Sequence, residues 1–344
     1  MKTKKILKTI EKFKNCKVLH IGDLILDQFL FGEVLRISRE APVLILKYKE
    51  TINIPGGGAN CLNNLISLGA KVIPIGIVGE DFEGKWILNF FKDKGVNVKN
   101  IFTVRNYQTP VKTRILAGSF HSSMKQMLRI DKEEDEEFKL NHLKEKIFNA
   151  VRENIEKVDG VIISDYGYGM GNPRFLKEIM TYIVKKGKKI IVDSRFKMKE
   201  FRNVTSITPN ISEIEEAYNK KIGENLSRMD KIAQKIIDNQ NLEALLITRG
   251  RLGMSLYERG EKPFHIPVFG SDEVADVTGA GDTVIAVYSL SLFAGADFRT
   301  SAIISNYSGG IVVMKRGTAT LSTRELISAI KNDSRKEIVG QDDE

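Results

Sequence analysis

Through most of the chain, short apolar runs of strand character alternate with segments of helical period. KVLHIG precedes ANCLNNLISLG, KVIPIGIVG precedes FEGKWILNFFKDKG, VDGVIISDYG precedes PRFLKEIMTYIVKKG, KKIIVDS leads into SITPN and ISEIEEAY, and LEALLITRG follows. A helix between two strands carries the chain back along the sheet, so the strands it joins run parallel. The expectation is an α/β fold, a mostly parallel sheet with helices on both faces. A chain of 344 residues, 42% of them hydrophobic, can bury a core of that size.

Two segments break the alternation. Around 29–53 and 107–131 the chain reads as short strands and turns without helices, and pairing of the two would make a small sheet that projects as a lid. The start, MKTKKILKTIEKFKNCK, lacks the continuous apolar run of a leader and reads as an exposed amphipathic helix with Ile6, Leu7, Ile10 and Phe13 on one face. The polar tail at 332–344 is expected to fray. No run approaches the roughly 18 apolar residues of a membrane span, so no membrane association is expected. Cys16 and Cys61 have neither disulfide-framework nor metal-ligand spacing, which points to a reducing, cytoplasmic compartment. The net charge is +9, but Lys and Arg are scattered among Asp and Glu and form no basic stripe. That distribution argues against nucleic acid and suits anionic small molecules.

Ligands of open parallel sheets bind beyond the carboxyl ends of the strands. Asp23 follows KVLHIG, Asp165 follows VIIS, Asp193 follows KIIV, Asn210 follows SITP and Arg249 follows LLIT. Each alone reads as a turn or cap residue; together they point to a polar site at that end of the sheet. The stretch DVTGAGDT, Asp276 to Thr283, adds a second signal. An apolar segment without proline follows it, so a helix is predicted to start near Thr283, with Gly279, Ala280 and Gly281 as the turn into it. Unpaired N–H groups and the macrodipole make such a terminus an anion site, and small residues let phosphate reach the backbone. Asp282 would repel a bound phosphate. It is therefore either an N-cap or a base beside an anion hole. No GxxxxGK[ST] loop occurs, no GxGxxG opens the first strand-to-helix turn, and IPGGGAN at 54–60 has the wrong spacing for a dinucleotide loop.

DVTGAGDT, PGGGAN and TPNISE together resemble the ribokinase (PfkB) family of carbohydrate kinases, from about residue 15 to 331. The resemblance implies a ribokinase-like three-layer sandwich with a small β-sheet lid, one kinase domain over 1–331, and ATP and Mg²⁺ as donor and cofactor. It implies that Asp282 is the general base and that the N–H groups of Gly279, Ala280 and Gly281 stabilise the transferring phosphoryl group. Asn210 and Glu213 match the NxxE motif that orders Mg²⁺ and its waters. Asp193, Arg195 and Arg249 fall on the nucleotide side, and Asn306 falls where relatives contact adenine. Asp276 matches a residue that helps some members hold a monovalent cation such as K⁺, with a purely structural carboxylate as the alternative. Asp27, Gly56, Gly57 and Asn60 match the sugar pocket.

Within the family, GDLILDQF, RISREAPV, SDYGYG and DVTGAGDT are similar to kinases that phosphorylate D-glycero-D-manno-heptose 7-phosphate at its anomeric oxygen, on the way to ADP-heptose and the lipopolysaccharide core. Some of those relatives carry a nucleotidyltransferase domain after the kinase, for which these 344 residues leave no room. A substrate that already bears a phosphate needs fixed cations. Lys112 and Arg114, two apart on a predicted strand, share a face, with Arg129 on the next strand; the alternative is solvated edge protection. Three segments depart from the family pattern. Tyr168 replaces the Lys of SDYxKG and loses its charge, Asp193-Ser194-Arg195-Phe196 replaces DPKG, and Arg39 stands where Pro is usual. Competing readings are a relative acting on ribose, fructose or a hexose phosphate, and a sensor on a kinase scaffold. The resemblance further implies a homodimer paired through the lid.

Overall fold

The computed structural model describes residues 2–118, 124–133, 140–270, 276–315 and 317–333. The strands are β1 (Lys17–Gly22), β2 (Leu24–Ile37), β3 (Leu44–Gly57), β4 (Lys71–Gly79), β5 (Ile101–Val104), β6 (Val111–Gly118), β7 (Lys125–Lys132), β8 (Gly160–Asp165), β9 (Lys189–Ser194), β10 (Ser206–Ile207), β11 (Ala244–Thr248), β12 (Met254–Glu258) and β13 (Phe264–Ile266). The helices are α1 (Lys2–Glu11), α2 (Gly58–Ser67), α3 (Phe82–Asp93), α4 (Lys144–Asn154), α5 (Pro173–Lys185), α6 (Ile211–Tyr218), α7 (Leu226–Gln240), α8 (Ala280–Phe293), α9 (Phe298–Val312) and α10 (Thr323–Asn332).

Among the described residues, nine strands form one sheet in the order β13-β12-β11-β10-β9-β8-β1-β4-β5. It is parallel from β11 to β5, and β12 and β13 add an antiparallel edge. Successive side chains on a strand point to opposite faces, and the core divides accordingly. Leu19, Ile21, Val161, Ile163, Ile190 and Val192 join one buried cluster, while Val18, Ile162 and Ile191 join the other. Helices α4, α5 and α7 cover the first face; α2, α8, α9 and α10 cover the second. This is the expected three-layer sandwich, and burial on both faces explains why the strands read as unbroken apolar runs. Each fully buried Leu or Ile contributes about 1.5–3 kcal/mol relative to an exposed one.

The lid is a four-stranded sheet in the order β3-β2-β6-β7. β2 pairs antiparallel with β3 and parallel with β6, and β6 pairs antiparallel with β7. Its strands extend beyond the expected segments. β2 pairs with β3 in the lid sheet from Leu24 onward, but Leu24, Ile25 and Leu26 at its start are buried, with Leu24 and Leu26 packed among residues of α2 and α3. Residues 119–123 of the second segment lie outside the described residues.

The N-terminal helix is amphipathic but its apolar face is not exposed. Ile6 and Ile10 bury in the core where α1 packs on α10, and Phe13 is buried in a 3₁₀ turn beyond the helix. The expected polar tail lies, beyond Asp333, outside the described residues. Among the described residues no helix is long and apolar enough to cross a membrane.

Candidate active site

Two cavities adjoin at the N-terminus of α8. A polar one of about 310 Å³ lies between the lid and the carboxyl ends of the parallel strands, bordered by Asp27, Lys112 and Arg114 from the lid and by Asp193, Arg195, Asn210 and Glu213 from the body. A more apolar one of about 330 Å³ is bordered by Met254, Phe269, Val284 and Asn306. Asn210, Thr248, Val277 and Gly281 border both.

The loop between the cavities begins its helix earlier than the sequence suggests. Gly279 is the N-cap, with φ +75°, and α8 starts at Ala280. A side chain on Gly279 would be strained at that φ and would place its Cβ 2.6 Å from both Asn60 and Thr318. Asp282 therefore sits in the first helical turn, and the N-cap reading of it is overturned. Of the three N–H groups expected to form an anion hole, that of Ala280 donates instead to the Val277 carbonyl at 3.2 Å. The N–H groups of Gly279 and Gly281 have no backbone partner among the described residues. A Cβ built on Gly281 meets nothing within 4 Å, so the space over this helix end is open.

Asp282 is almost fully buried, and each of its carboxylate oxygens has a donor. The Tyr166 hydroxyl donates to Oδ1 at 2.5 Å, and Asn60 Nδ2 donates to Oδ2 at 2.9 Å. Burial pushes the Asp282 carboxyl up to about 6, with the Tyr166 and Asn60 hydrogen bonds opposing the rise. Desolvation and then the Asp282 charge push the Tyr166 phenol well above its usual range, so it stays a donor. Asn60 is held in turn by Asn64, whose Nδ2 donates to its carbonyl at 3.0 Å. The sequence places Asn60 in the sugar pocket; the structure instead buries it completely behind Asp282.

The loop that carries Tyr166 is fixed by Asp23. Its carboxylate accepts the N–H groups of Tyr166 at 2.8 Å, Tyr168 at 3.1 Å, Met170 at 2.8 Å and Gly171 at 3.4 Å. Asp165 accepts from the Ser194 hydroxyl at 2.6 Å. Two of the five strand-end residues thus build the loop and do not border the cavity. Tyr168 donates through its hydroxyl to Glu133, just past β7, which ties the loop to the lid.

On the lid side, Asp27 pairs with Arg114 at 2.8 Å and accepts from the Thr318 hydroxyl at 3.1 Å. Gly56 backs this carboxylate: a Cβ there would lie 2.6 Å from Asp27 Cγ. Gly57, at φ +53°, borders the cavity. Lys112 shares the strand face with Arg114, as the spacing predicts, and its ammonium lies 5.4 Å over the Tyr166 ring. Desolvation and then the Arg195 charge lower the Lys112 pKa. Neither Lys112 nor Arg195 has an ion-pair partner among the described residues. Arg129 does not border the cavity. It lies directly across the ladder from Arg114 and is held by Asp131, with Nε 2.6 Å from Oδ1.

On the body side, Asn210 and Glu213 form a reciprocal capping box at the start of α6, with N–H to carboxylate and N–H to amide bonds of 2.8 and 2.9 Å. Burial pushes Glu213 up to about 7. Asp193 is pushed well above the usual carboxylate range by desolvation and then by Glu213, and its carboxylate accepts no hydrogen bond among the described residues. These three oxygen-bearing side chains fit a hard, water-retaining ion such as Mg²⁺, with the Arg195 guanidinium the cation nearest to Asp193 and Glu213. The Asp276 carboxylate accepts the N–H of Thr278 at 2.9 Å and of Gly317 at 3.0 Å, which favours the structural reading over the cation. Arg249 borders neither cavity and donates to the Leu252 carbonyl at 2.5 Å. Asn306 borders the apolar cavity while its amide donates to the Pro267 carbonyl at 2.7 Å. Sequence reasoning missed Tyr166 and Thr318. Tyr166 directly follows a strand-end Asp and was open to the same rule; nothing local marks Thr318.

Residues 17–325 match the pfkB family carbohydrate kinase profile. The chain is 37% identical over 324 residues to the Bifunctional protein HldE of Desulfatibacillum aliphaticivorans, covering 94% of this chain and 65% of that protein. It is 35% identical over 324 residues to the protein of the same name from Helicobacter pylori strain J99, covering 94% and 68%. The chain thus spans about two thirds of the length of these relatives. In fold it is similar to the Arabidopsis thaliana ribokinase solved with ribose and ATP, with a TM-score of 0.70 at 18% identity over 92% of this chain and 99% of that one. The Escherichia coli phosphofructokinase-2 solved with substrates and products gives a TM-score of 0.70 at 16% identity over 92% and 98%. A profile match across both the sheet and the loop into α8, joined to relatives at this identity, establishes that the chain belongs to the pfkB family of carbohydrate kinases and is a sugar kinase.

Proposed function

We propose that this chain transfers the γ-phosphoryl group of ATP to the anomeric hydroxyl of D-glycero-D-manno-heptose 7-phosphate, giving the 1,7-bisphosphate, a precursor of ADP-heptose and the lipopolysaccharide core. The work is assigned to one kinase domain over 1–331, in the cytoplasm, where ATP is available. The observation that carries the reading is the meeting of an apolar and a polar cavity at the N-terminus of α8, with Asp282 buried at the junction. The apolar cavity suits an adenosine and the polar one a sugar phosphate.

In this reading Asp282 takes the proton of the anomeric hydroxyl as that oxygen bonds to the γ-phosphorus, and the bond from the γ-phosphorus to the β–γ bridging oxygen breaks to leave ADP. The N–H groups of Gly279 and Gly281 and the positive end of α8 hold the charge on the transferring group. Asn210 and Glu213, with Asp193 beside them, are the residues that would hold Mg²⁺ through its waters. Bound Mg²⁺ offsets negative charge on the phosphates. Asp27, fixed by Arg114 and Thr318, offers a carboxylate to sugar hydroxyls, and Lys112 and Arg195 offer unpaired positive charge to phosphate.

A second reading is a relative acting on ribose, fructose or a hexose phosphate; the pairing of Arg114 with Asp27 and of Arg129 with Asp131 favours its unphosphorylated acceptors, because it leaves fewer cations for a remote phosphate. A lid-to-lid homodimer belongs to the proposal as well. Ile37, Tyr48, Leu128 and Ile130 on the lid are 51–64% exposed, an apolar surface that a second copy would cover. The catalytic assignment is tested with Asp282→Asn. Turnover should fall by roughly 10²–10⁴ with ATP affinity little changed; an unchanged kcat would remove Asp282 from the role of base.

A further inference from the structure

Asp282 lies in a crowded electrostatic setting. Facing it are Asp27 from β2, Cys61 from α2, Lys112 from β6, Tyr166 after β8 and Asp193 from β9. The Asp27 charge joins burial in acting against an ionised carboxylate, while the Lys112 charge favours it and the buried Cys61 thiol stays neutral. Two neutral donors act the other way, Tyr166 at 2.5 Å and Asn60 at 2.9 Å, one on each oxygen. An ionised carboxylate has about four acceptor positions, so both donors can stay in place while a substrate hydroxyl binds a third.

The Tyr166 hydroxyl is held for this contact from three sides. The backbone N–H of Tyr166 is tied to Asp23, which is itself fully buried and bound to four N–H groups of the same loop. Its ring packs where Gly57 leaves room, since a Cβ on Gly57 would come within 3.3 Å of it. The Lys112 ammonium lies over the ring, 5.4 Å from its centroid. A nearby cation makes a phenol a stronger donor, and Lys112 is itself a candidate phosphate contact.

We infer that Tyr166 is a positioning residue for the phosphoryl transfer, which keeps the base ionised and aimed by donating its hydroxyl to Asp282, and which links the Lys112 end of the pocket to that base. This rests on the reading of Asp282 as the base. Tyr166 neither takes nor gives up a proton in the transfer; it holds one on its own oxygen throughout.

The test is the pH profile of kcat/KM for Tyr166→Phe, which removes one oxygen and leaves the ring. Loss of a hydrogen bond to the charged form raises a carboxyl pKa, so the acid limb should move up by about one pH unit. The rate should then fall about tenfold more at low pH than on the alkaline plateau. A purely structural tyrosine would lower the rate equally at every pH. An acid limb that stays in place would overturn the proposal. Should Tyr166→Phe fail to melt cooperatively, the full chain with 3-fluorotyrosine at 166 decides the matter: a more acidic phenol donates more strongly, and the acid limb should move down. Asp282→Asn, measured in parallel, separates the two claims. If it keeps wild-type turnover, the base reading has failed; if it is inactive while the Tyr166 variants leave the limb unmoved, only the positioning role has failed.

Discussion

Arg114 and Asp27 form an ion pair at 2.8 Å between neighbouring parallel strands of the lid, with side chains only 11% and 6% exposed. The pair ties β6 to a carboxylate that borders the polar cavity, so Arg114 is already partnered in this structure.

Arg114→Ala should leave Asp27 buried without its cation. Breaking one partner of a buried pair costs about 3 kcal/mol or more, so the thermal midpoint should drop by several degrees. Phosphorylated and unphosphorylated acceptors should lose kcat/KM alike. A loss confined to the phosphorylated sugar would show that Arg114 contacts the phosphate after all.

Lys112 is predicted to behave differently, because it borders the cavity and has no carboxylate at ion-pair distance among the described residues. Lys112→Met keeps an unbranched side chain beside Tyr166 and removes the charge. A charge-assisted contact of roughly 1.5–3 kcal/mol lost only with the phosphorylated acceptor should raise its KM about 10- to 100-fold. Steady-state kinetics with the matched unphosphorylated sugar provide the reference; equal effects on the two would remove Lys112 from phosphate recognition.

Glu213→Gln retains an oxygen able to accept the Asn210 N–H, so the cap on α6 should survive while one negative charge disappears. Titration of the rate against Mg²⁺ should show a higher half-saturating concentration, with sugar KM nearly unchanged. An identical Mg²⁺ curve would reduce Glu213 to a capping residue.

The pH dependence follows from the Asp282 carboxyl, raised to about 6 chiefly by burial. A base must be unprotonated to work, so kcat/KM should rise as pH increases through about 6 and fall tenfold per unit below it. Asp282→Glu or →Asn should abolish or displace that limb. A wild-type profile flat from pH 5 to 8 would contradict the assignment.

The main sheet was legible because its strands are buried on both faces and therefore write continuous apolar runs into the sequence. The lid was legible as a change of texture, but its extent was not, since the buried start of β2 has the same apolar signature as β1. Asn60 was read as a pocket residue and Tyr166 follows a strand-end Asp, but their pairing with Asp282 was not legible. Asn60 and Tyr166 are 222 and 116 residues away from it, and only the packing of α2 on α8 and the loop after β8 bring them together. The early start of α8 rests on Gly279 adopting φ +75°, which composition permits but does not impose. Arg114 read as a free cation because its pairing with Asp27 depends on β2 and β6 lying side by side in parallel, a non-local fact.

The most direct measurement incubates purified protein with Mg²⁺ and ATP against D-glycero-D-manno-heptose 7-phosphate, ribose, fructose and hexose phosphates, with ADP release giving kcat/KM and ³¹P NMR locating the new phosphate. The account predicts that heptose 7-phosphate gives the highest kcat/KM and a product with a second phosphate on the anomeric oxygen. Preference for another acceptor, or a new phosphate on any other oxygen, would contradict it.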